Sequence, residues 1–114
     1  MNLPDKAVVI ADNKSELADL MLFLDIHGFT WPSGASCSSV VDTIWNNTNV
    51  RSHGDDIAVN FLNGKPDGFC WVDYYRSGGK SYLSENQEWN FLSVPDFVSK
   101  VGGVIPRFSV TDLL

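Results

Sequence analysis

The chain has 114 residues, of which 44% are apolar and 19% are charged, and its formal net charge is −6. This length and composition predict one soluble domain with a single core. No apolar run approaches the roughly 18 residues of a membrane span, which disfavours a membrane partner. The excess of carboxylates disfavours nucleic acid as a partner, because binding it requires Lys and Arg to replace phosphate counterions. The first residues lack the basic and apolar regions of a secretory signal, which predicts a cytoplasmic protein.

The strongest structural signal is a strand followed by a helix near the start of the chain. The run AVVIA at 7–11 is rich in β-branched residues, which predicts a strand covered on both faces. From Lys14 to His27, apolar residues recur at helical spacing and predict an amphipathic helix. Its main stripe is Leu17, Leu20, Met21 and Leu24, and Ala18, Leu22 and Ile26 widen it.

Capping residues mark both ends of this helix. Asn13 is predicted to be the N-cap, with the Glu16 side chain reaching back to the Asn13 N–H as in a capping box. Gly28 is predicted to end the helix in the left-handed conformation. The chain then leaves through a turn over 31–34, in which Pro32 restricts Trp31 to an extended conformation.

The rest of the chain predicts an α+β fold. Residues 39–47 predict a short helix, for which a strand is the alternative. The other predicted elements are a hairpin of 57–62 and 68–75 around Asn63-Gly64, short strands at 81–83 and 88–92, and a helix capped by Ser93 and ended by Gly102-Gly103. Residues 65–67 predict a hairpin loop longer than two residues. The apolar tail over 104–114 is predicted to pack as an edge strand or to swap onto a second copy. Together these elements predict a single compact domain over 1–114, with a mostly antiparallel sheet and two to three helices on one face.

Catalytic, metal-binding and cofactor-binding motifs are not evident in the sequence. Gly79-Lys80-Ser81 lacks the earlier glycine of a phosphate-binding loop, since Tyr74 occupies that position. His53, Asp55 and Asp56 could hold a metal, but one histidine and two carboxylates in a polar loop are more typical of a solvated surface. The sequence therefore predicts no metal, no cofactor and no catalytic residue.

The two cysteines, Cys37 and Cys70, have no metal-ligand spacing and are predicted to be reduced. A Cys–His nucleophile pair would need one of them to lie near a histidine in space. Cys70 alternates within a predicted strand, which favours a place in the core.

Aromatic residues near cations are the candidate binding groups. Trp71 and Tyr75 precede Arg76 and Lys80, and such a set can sandwich a nucleobase and hold a phosphate. The same residue types are enriched in protein-interface hot spots, and they also pack ordinary sheet faces. Trp31 is either a core residue against the first helix or an exposed binding aromatic. The candidate ligand- or partner-binding residues are Trp31, Ser33, Trp71, Tyr75, Arg76 and Lys80.

The segment Gly28-Phe29-Thr30-Trp31-Pro32-Ser33-Gly34, after the strand and helix of 8–26, resembles small bacteriophage-encoded domains of unknown function. Asn90 to Phe97 is similar to the strand and capped, Phe-containing helix with which many of those domains close. The resemblance covers about a third of the chain, and residues 37–52 depart from it. It implies a phage accessory protein, in a class that includes host-takeover and anti-defence factors, and it transfers no catalytic residue.

Three functional hypotheses follow. The leading one is a non-enzymatic phage protein that inhibits a host defence system by binding a host protein, with its acidic surface steering the encounter. The second is an oligomer that sequesters a small nucleotide signal, with Trp71, Tyr75 and Arg76 as its pocket. The third is a small enzyme whose site is not visible in the sequence.

Overall fold

Four strands and three helices form the part of the chain that the computed structural model describes, which is residues 3–48, 56–72 and 90–103. In chain order they are β1 (Lys6–Ala11), α1 (Lys14–Ile26), a 3₁₀ turn (Ser38–Val40) that runs into α2 (Val41–Trp45), β2 (Ile57–Leu62), β3 (Lys65–Trp71), β4 (Asn90–Ser93) and α3 (Val94–Lys100). The helix predicted within 39–47 is thus confirmed at Val41–Trp45, and the alternative of a strand there is wrong. The predicted strand at 81–83 and the tail over 104–114 lie outside the described residues.

The sheet is mixed, with the strand order β3-β2-β1-β4. β1 pairs antiparallel with β2, β2 pairs antiparallel with β3, and β1 pairs parallel with β4. β1 and β4 each lead into a helix, and the two helices lie side by side on one face of the sheet. Because β1 and β4 are parallel, both strands lead into their helices at the same edge of the sheet. The predicted α+β class is confirmed, with one parallel pair in a mostly antiparallel sheet.

The main core lies between the sheet and the helices. The inward strand residues on this face are Ala7, Val9 and Ala11 of β1 and Ile57, Val59 and Phe61 of β2. Phe97 of α3 stacks on Phe61 with ring centroids 4.8 Å apart, and it meets Phe23 of α1 edge to face at 6.3 Å. These three buried rings join α1 and α3 to the centre of the sheet.

The opposite face of the sheet is also apolar. Val8 of β1 and Ala58 of β2 are fully buried there, and Ile10, Cys70 and Phe91 are half-buried beside them. The predicted burial of β1 on both faces is therefore confirmed. Cys70 lies on this face and Cys37 on the helix face, so neither cysteine forms a disulfide.

The start of α1 is capped largely as its sequence predicts. The Glu16 N–H donates to Asn13 Oδ1 at 2.9 Å, which confirms Asn13 as the N-cap. The Glu16 carboxylate, however, accepts from the Asp12 N–H at 3.1 Å, and not from the Asn13 N–H. The reciprocal bond of the capping box therefore forms one residue earlier than predicted.

α1 and α3 end in the same glycine motif. After α1, the Gly28 N–H donates to the Asp25 carbonyl and the Phe29 N–H donates to the Leu24 carbonyl, and Gly28 has a φ of 84°. After α3, Gly102 and Gly103 form the corresponding two bonds, and Gly102 has a φ of 79°. This is the Schellman arrangement, which satisfies the last carbonyls of a helix. The predicted stop signals are confirmed at both helices.

The apolar stripe of α1 is narrower than predicted on one side. Leu22 and Ile26 are 38% and 59% exposed, whereas Phe23, which the predicted stripe omits, is only 1% exposed. Leu22 and Ile26 each follow a buried leucine by two residues, which places them about 200° around the helix from it. The helix therefore presents these two side chains to solvent.

The hairpin of β2 and β3 has a two-residue turn. Asn63 and Gly64 both have positive φ, 55° and 77°, as a type I′ turn requires. The longer loop predicted over 65–67 is wrong, because β3 begins at Lys65 immediately after the turn. Asn60 pairs with Gly68 while Phe61 pairs with Pro66, so Asp67 is the extra residue of a β-bulge.

Ser93 ends β4 and caps α3, since the Asp96 N–H donates to its Oγ at 3.2 Å. We expect Ser93→Ala to lower the free energy of unfolding by about 1 kcal/mol, because the helix loses its side-chain cap. Urea denaturation followed by circular dichroism measures the change. Ser99→Ala, on the exposed side of the same helix, is the matched control and is expected to cost less. Equal effects of the two variants would contradict the capping role.

Candidate functional site

The segment after α1 folds into a tight, defined loop. Thr30 and Ser36 form a β-bridge, and the Trp31 N–H donates to the Ala35 carbonyl at 2.9 Å. Within it, the Gly34 N–H donates to the Trp31 carbonyl at 2.8 Å, which makes residues 31–34 a β-turn with proline at its second position. We call residues 30–36 the Trp31 loop.

Asp25, in the last turn of α1, anchors the far end of the Trp31 loop. Its Oδ1 accepts from the Cys37 N–H at 2.6 Å, and its Oδ2 accepts from the Ser38 N–H at 3.0 Å and from the Ser38 hydroxyl. One carboxylate thus satisfies the backbone at the start of the 3₁₀ turn and α2. The loop is therefore fixed to α1 at both ends.

Cys37 is a structural thiol and not a nucleophile at neutral pH. Its side chain is fully buried, and its Sγ donates to the Phe29 carbonyl at 3.8 Å. Burial, together with the charge and hydrogen bond of Asp25, raises the pKa of the Cys37 thiol to about 11. The thiolate that nucleophilic chemistry requires is scarce at that pKa.

Trp31 is half-buried and rests on the edge of the sheet. Its ring centroid lies 6.4 Å from that of Phe69 in β3, and the two planes are tilted by 39°. Trp71 lies two residues after Phe69 on the same side of β3, and all three rings pack against the main core. Trp31 is therefore both a core contact and a partly exposed aromatic, so the two interpretations of this residue are compatible.

A groove of about 390 Å³ lies between the Trp31 loop and the start of β3. It is a half-open groove on the surface and not an enclosed cavity. The lining residues are Thr30, Trp31, Pro32 and Gly34 from the loop and Lys65, Pro66 and Asp67 from β3. We call this feature the Trp31 groove.

The β3 wall of the groove is held by a hydrogen-bonded polar pair, of which one member is buried. Asn60 is fully buried, and its Nδ2 donates to Asp67 Oδ2 at 2.8 Å. The bulge brings these two residues together, since Asp67 is the unpaired residue opposite Asn60 and Phe61. This part-buried hydrogen bond holds the Asp67 carboxylate in place.

Only some of the predicted binding residues take part in this site. Trp31 lines the groove. Ser33 is exposed on the turn, and its Oγ accepts from the Ala35 N–H at 3.4 Å, so it stabilises the loop and does not line the groove. Trp71 packs against the main core, two residues after Phe69 in β3, and does not line the groove. Tyr75, Arg76 and Lys80 lie outside the described residues, so the nucleotide pocket of Trp71, Tyr75 and Arg76 stays a prediction.

The sequence analysis misses the groove residues of β3. Lys65, Pro66 and Asp67 directly follow the Asn63-Gly64 turn, and a two-residue turn would have placed them in the strand. Their contact with the Trp31 loop joins residues about 30 positions apart, and no short-range sequence pattern predicts it. His53 and Asp55 of the considered metal site lie outside the described residues, and residues 3–48, 56–72 and 90–103 contain no cluster of three potential metal ligands.

Comparison of the chain with family models, with curated proteins and with solved structures finds no match in any of the three. Among the helices of the described ranges, none has the length and apolar character needed to cross a membrane. The fold and the Trp31 groove are therefore the observations on which a functional proposal rests.

Proposed function

We propose that this chain is a non-enzymatic bacteriophage accessory protein that inhibits a host defence system by docking on a host protein in the host cytoplasm. The Trp31 groove carries the proposal, and the Gly28–Gly34 segment, through its resemblance to phage-encoded domains, supports the origin. Trp31 itself belongs to that segment. The same residue thus links the resemblance to the groove.

The groove has the physical properties of a protein contact site. Trp31 is packed on Phe69 and anchored through a hydrogen-bonded loop, so little side-chain freedom is lost when a partner covers it. Fixed tryptophans of this kind dominate many interface hot spots. The net charge of −6 adds long-range attraction toward a basic host surface and speeds the encounter.

We expect Trp31→Ala to abolish inhibition of the host system, because the partner loses its central aromatic contact. The measurement is plaque formation by a defence-sensitive phage on defence-bearing bacteria that express the wild-type chain or a variant. Wild type is expected to raise plaque counts, and Trp31→Ala to lower them by at least about tenfold from that level, because a hot-spot tryptophan carries a large share of the binding free energy.

The matched control is Leu22→Ala, which removes an exposed apolar side chain outside the groove. It is expected to behave as wild type. If the wild-type chain protects no phage against any of a panel of defence systems, the proposed role is wrong. If Leu22→Ala lowers plaque counts as much as Trp31→Ala, the role of the groove in it is wrong.

A further inference from the structure

β3 lies at one edge of the sheet that the described strands form. A strand in an antiparallel sheet turns its backbone groups alternately toward one neighbour and toward the other. Two hydrogen bonds define this alternation on β2: the Asn63 N–H donates to the Asp5 carbonyl next to β1, and the Val72 N–H after β3 donates to the Asp56 carbonyl. Both bonds agree that the odd-numbered residues of β2 turn their backbone to β1 and that the even-numbered ones turn it to β3.

The register then gives the outward backbone groups of β3. Phe69 pairs with Val59, and Trp71 pairs with Ile57. Because β2 turns these two odd-numbered residues to β1, the N–H and carbonyl groups of Phe69 and Trp71 point away from the sheet. Outside the sheet ladders, no backbone hydrogen bond between described residues involves Phe69. We call residues 69–71 the β3 edge.

The first half of β3 is unsuited to pairing with a further strand. Pro66 has no N–H, and the extra residue of the bulge, Asp67, interrupts the regular spacing of backbone groups. Proline and bulges are devices that protect edge strands from unwanted pairing. The Trp31 loop also lies beside this half of the strand, across the Trp31 groove. Pairing is therefore confined to the β3 edge.

A second copy of the chain matches the β3 edge. The outward groups of Phe69 and Trp71 lie on either side of Cys70, so an antiparallel copy related by a two-fold axis at Cys70 presents the same groups in the opposite direction. Phe69 of each copy then exchanges both of its hydrogen bonds with Trp71 of the other copy. No other two-fold register uses both residues and avoids the bulge.

Charge also favours a second copy over a basic partner strand at this edge. The chain has a net charge of −6, yet residues 68–72 include no charged residue. Two copies can therefore pair there without bringing like charges directly opposite each other, which would destabilise the pair. A basic strand would find no carboxylate within 68–72 to attract it.

We propose that the chain forms a two-fold symmetric dimer in which the β3 edges of two copies pair antiparallel about Cys70 and join the two sheets into one. Directly opposite residues of an antiparallel pair lie on the same face, so both copies turn their helices and Trp31 to the same side. The dimer presents two identical docking sites in one direction. This inference goes beyond the proposed function and does not rest on it, because the chain alone forms the dimer.

The first test is sedimentation velocity of the full chain in reducing buffer over a range of concentrations. A species of twice the chain mass of 12.6 kDa is expected, and it should dissociate on dilution. Amide hydrogen exchange of Phe69 locates the interface, because its N–H is exposed in the monomer and bonded in the dimer. We expect this exchange to be at least about tenfold slower at a concentration where the dimer dominates than where the monomer does. A monomer at every concentration, or a dimer with unchanged exchange at Phe69, would overturn the inference.

The second test traps the register through Cys70, which is half-buried on the sheet face opposite the helices. In the proposed pairing the two Cys70 residues form a non-hydrogen-bonded pair, with Cα atoms about 4.5 Å apart, which is within the range of a disulfide. Glutathione disulfide is the oxidant: the two Cys70 thiols form one disulfide, and one glutathione disulfide is reduced to two glutathione thiols.

Wild type is expected to form this covalent dimer. The matched control is Cys37→Ser, which removes the fully buried thiol and is expected to be trapped as wild type is. Cys70→Ser is expected to remain a dimer in sedimentation but to form no covalent dimer. A covalent dimer of Cys70→Ser, or none of wild type, would show that the two copies do not pair about Cys70.

Discussion

Gly103→Ala is expected to lower the free energy of unfolding by about 3 kcal/mol, at the upper end of the cost of overpacking a core. A Cβ on Gly103 would lie 2.3 Å from Cε2 and 2.6 Å from Cζ of Phe23. Contacts this short between carbon atoms force one group to move. Gly103 does not have a positive φ, so the expected cost comes from the clash and not from backbone strain.

Phe23 has little room to move away. Its ring is 1% exposed, lies 6.3 Å from the ring of Phe97 and lies 4.6 Å from the ring of His27. Urea denaturation of wild type and variant measures the change in stability. In a Phe23→Leu background the same alanine is expected to cost less, because the atoms that clash are absent. An equal cost in both backgrounds would show that Phe23 is not the cause.

Asp25→Asn is expected to lower the free energy of unfolding by about 2 kcal/mol, because hydrogen bonds to a charged group are among the strongest in proteins. In the wild type, one carboxylate oxygen accepts from the Cys37 N–H and the other accepts from the Ser38 N–H. Asparagine has only one side-chain oxygen, so it can accept at only one of these two places. Asp12→Asn is the matched control, since it removes the same charge from an exposed position. Similar costs for both variants would mean that net charge, and not the anchor, is responsible.

The same variant is expected to lower the pKa of Cys37, because the charge and hydrogen bond of Asp25 help to raise it. The rate of alkylation against pH, measured in a Cys70→Ser background, reports the thiolate. Because the folded pKa is about 11 and the ordinary value is 9.0, the folded state holds the proton more tightly. Stability from this group is present below pH 9 and is lost as the pH rises toward 11. In Asp25→Asn, the loss of folding stability between pH 9 and pH 11 is expected to be smaller than in the wild type.

Local chemistry explains why much of the fold could be predicted from the sequence. The Asn13 and Ser93 caps, the glycine stops and the Asn63-Gly64 turn each depend on residues within a few positions of one another. Such signals act before any tertiary contact forms. The predicted fold class follows from them, because they define where each strand and helix begins or ends.

The remaining features depend on residues far apart in the chain. The parallel pairing of β1 with β4 brings together residues 6–11 and 90–93, and the groove joins the Trp31 loop to residues 65–67. The anchor from Asp25 to Cys37 spans twelve positions. Periodicity and capping patterns carry no information about such distances. Of the groove, Trp31 was therefore predictable as a candidate residue, and the β3 wall was not.

The direct junction of β4 and α3 limits how the chain can change in length. Ser93 is the last residue of the strand and the cap of the helix, so no linker residue lies between them. One inserted residue would turn α3 by about 100° relative to the sheet, and Phe97 would leave its place on Phe61. We therefore expect insertions and deletions in relatives of this chain to avoid the junction. A tag or reporter inserted at the junction is expected to disrupt the packing of Phe97 on Phe61 in the same way.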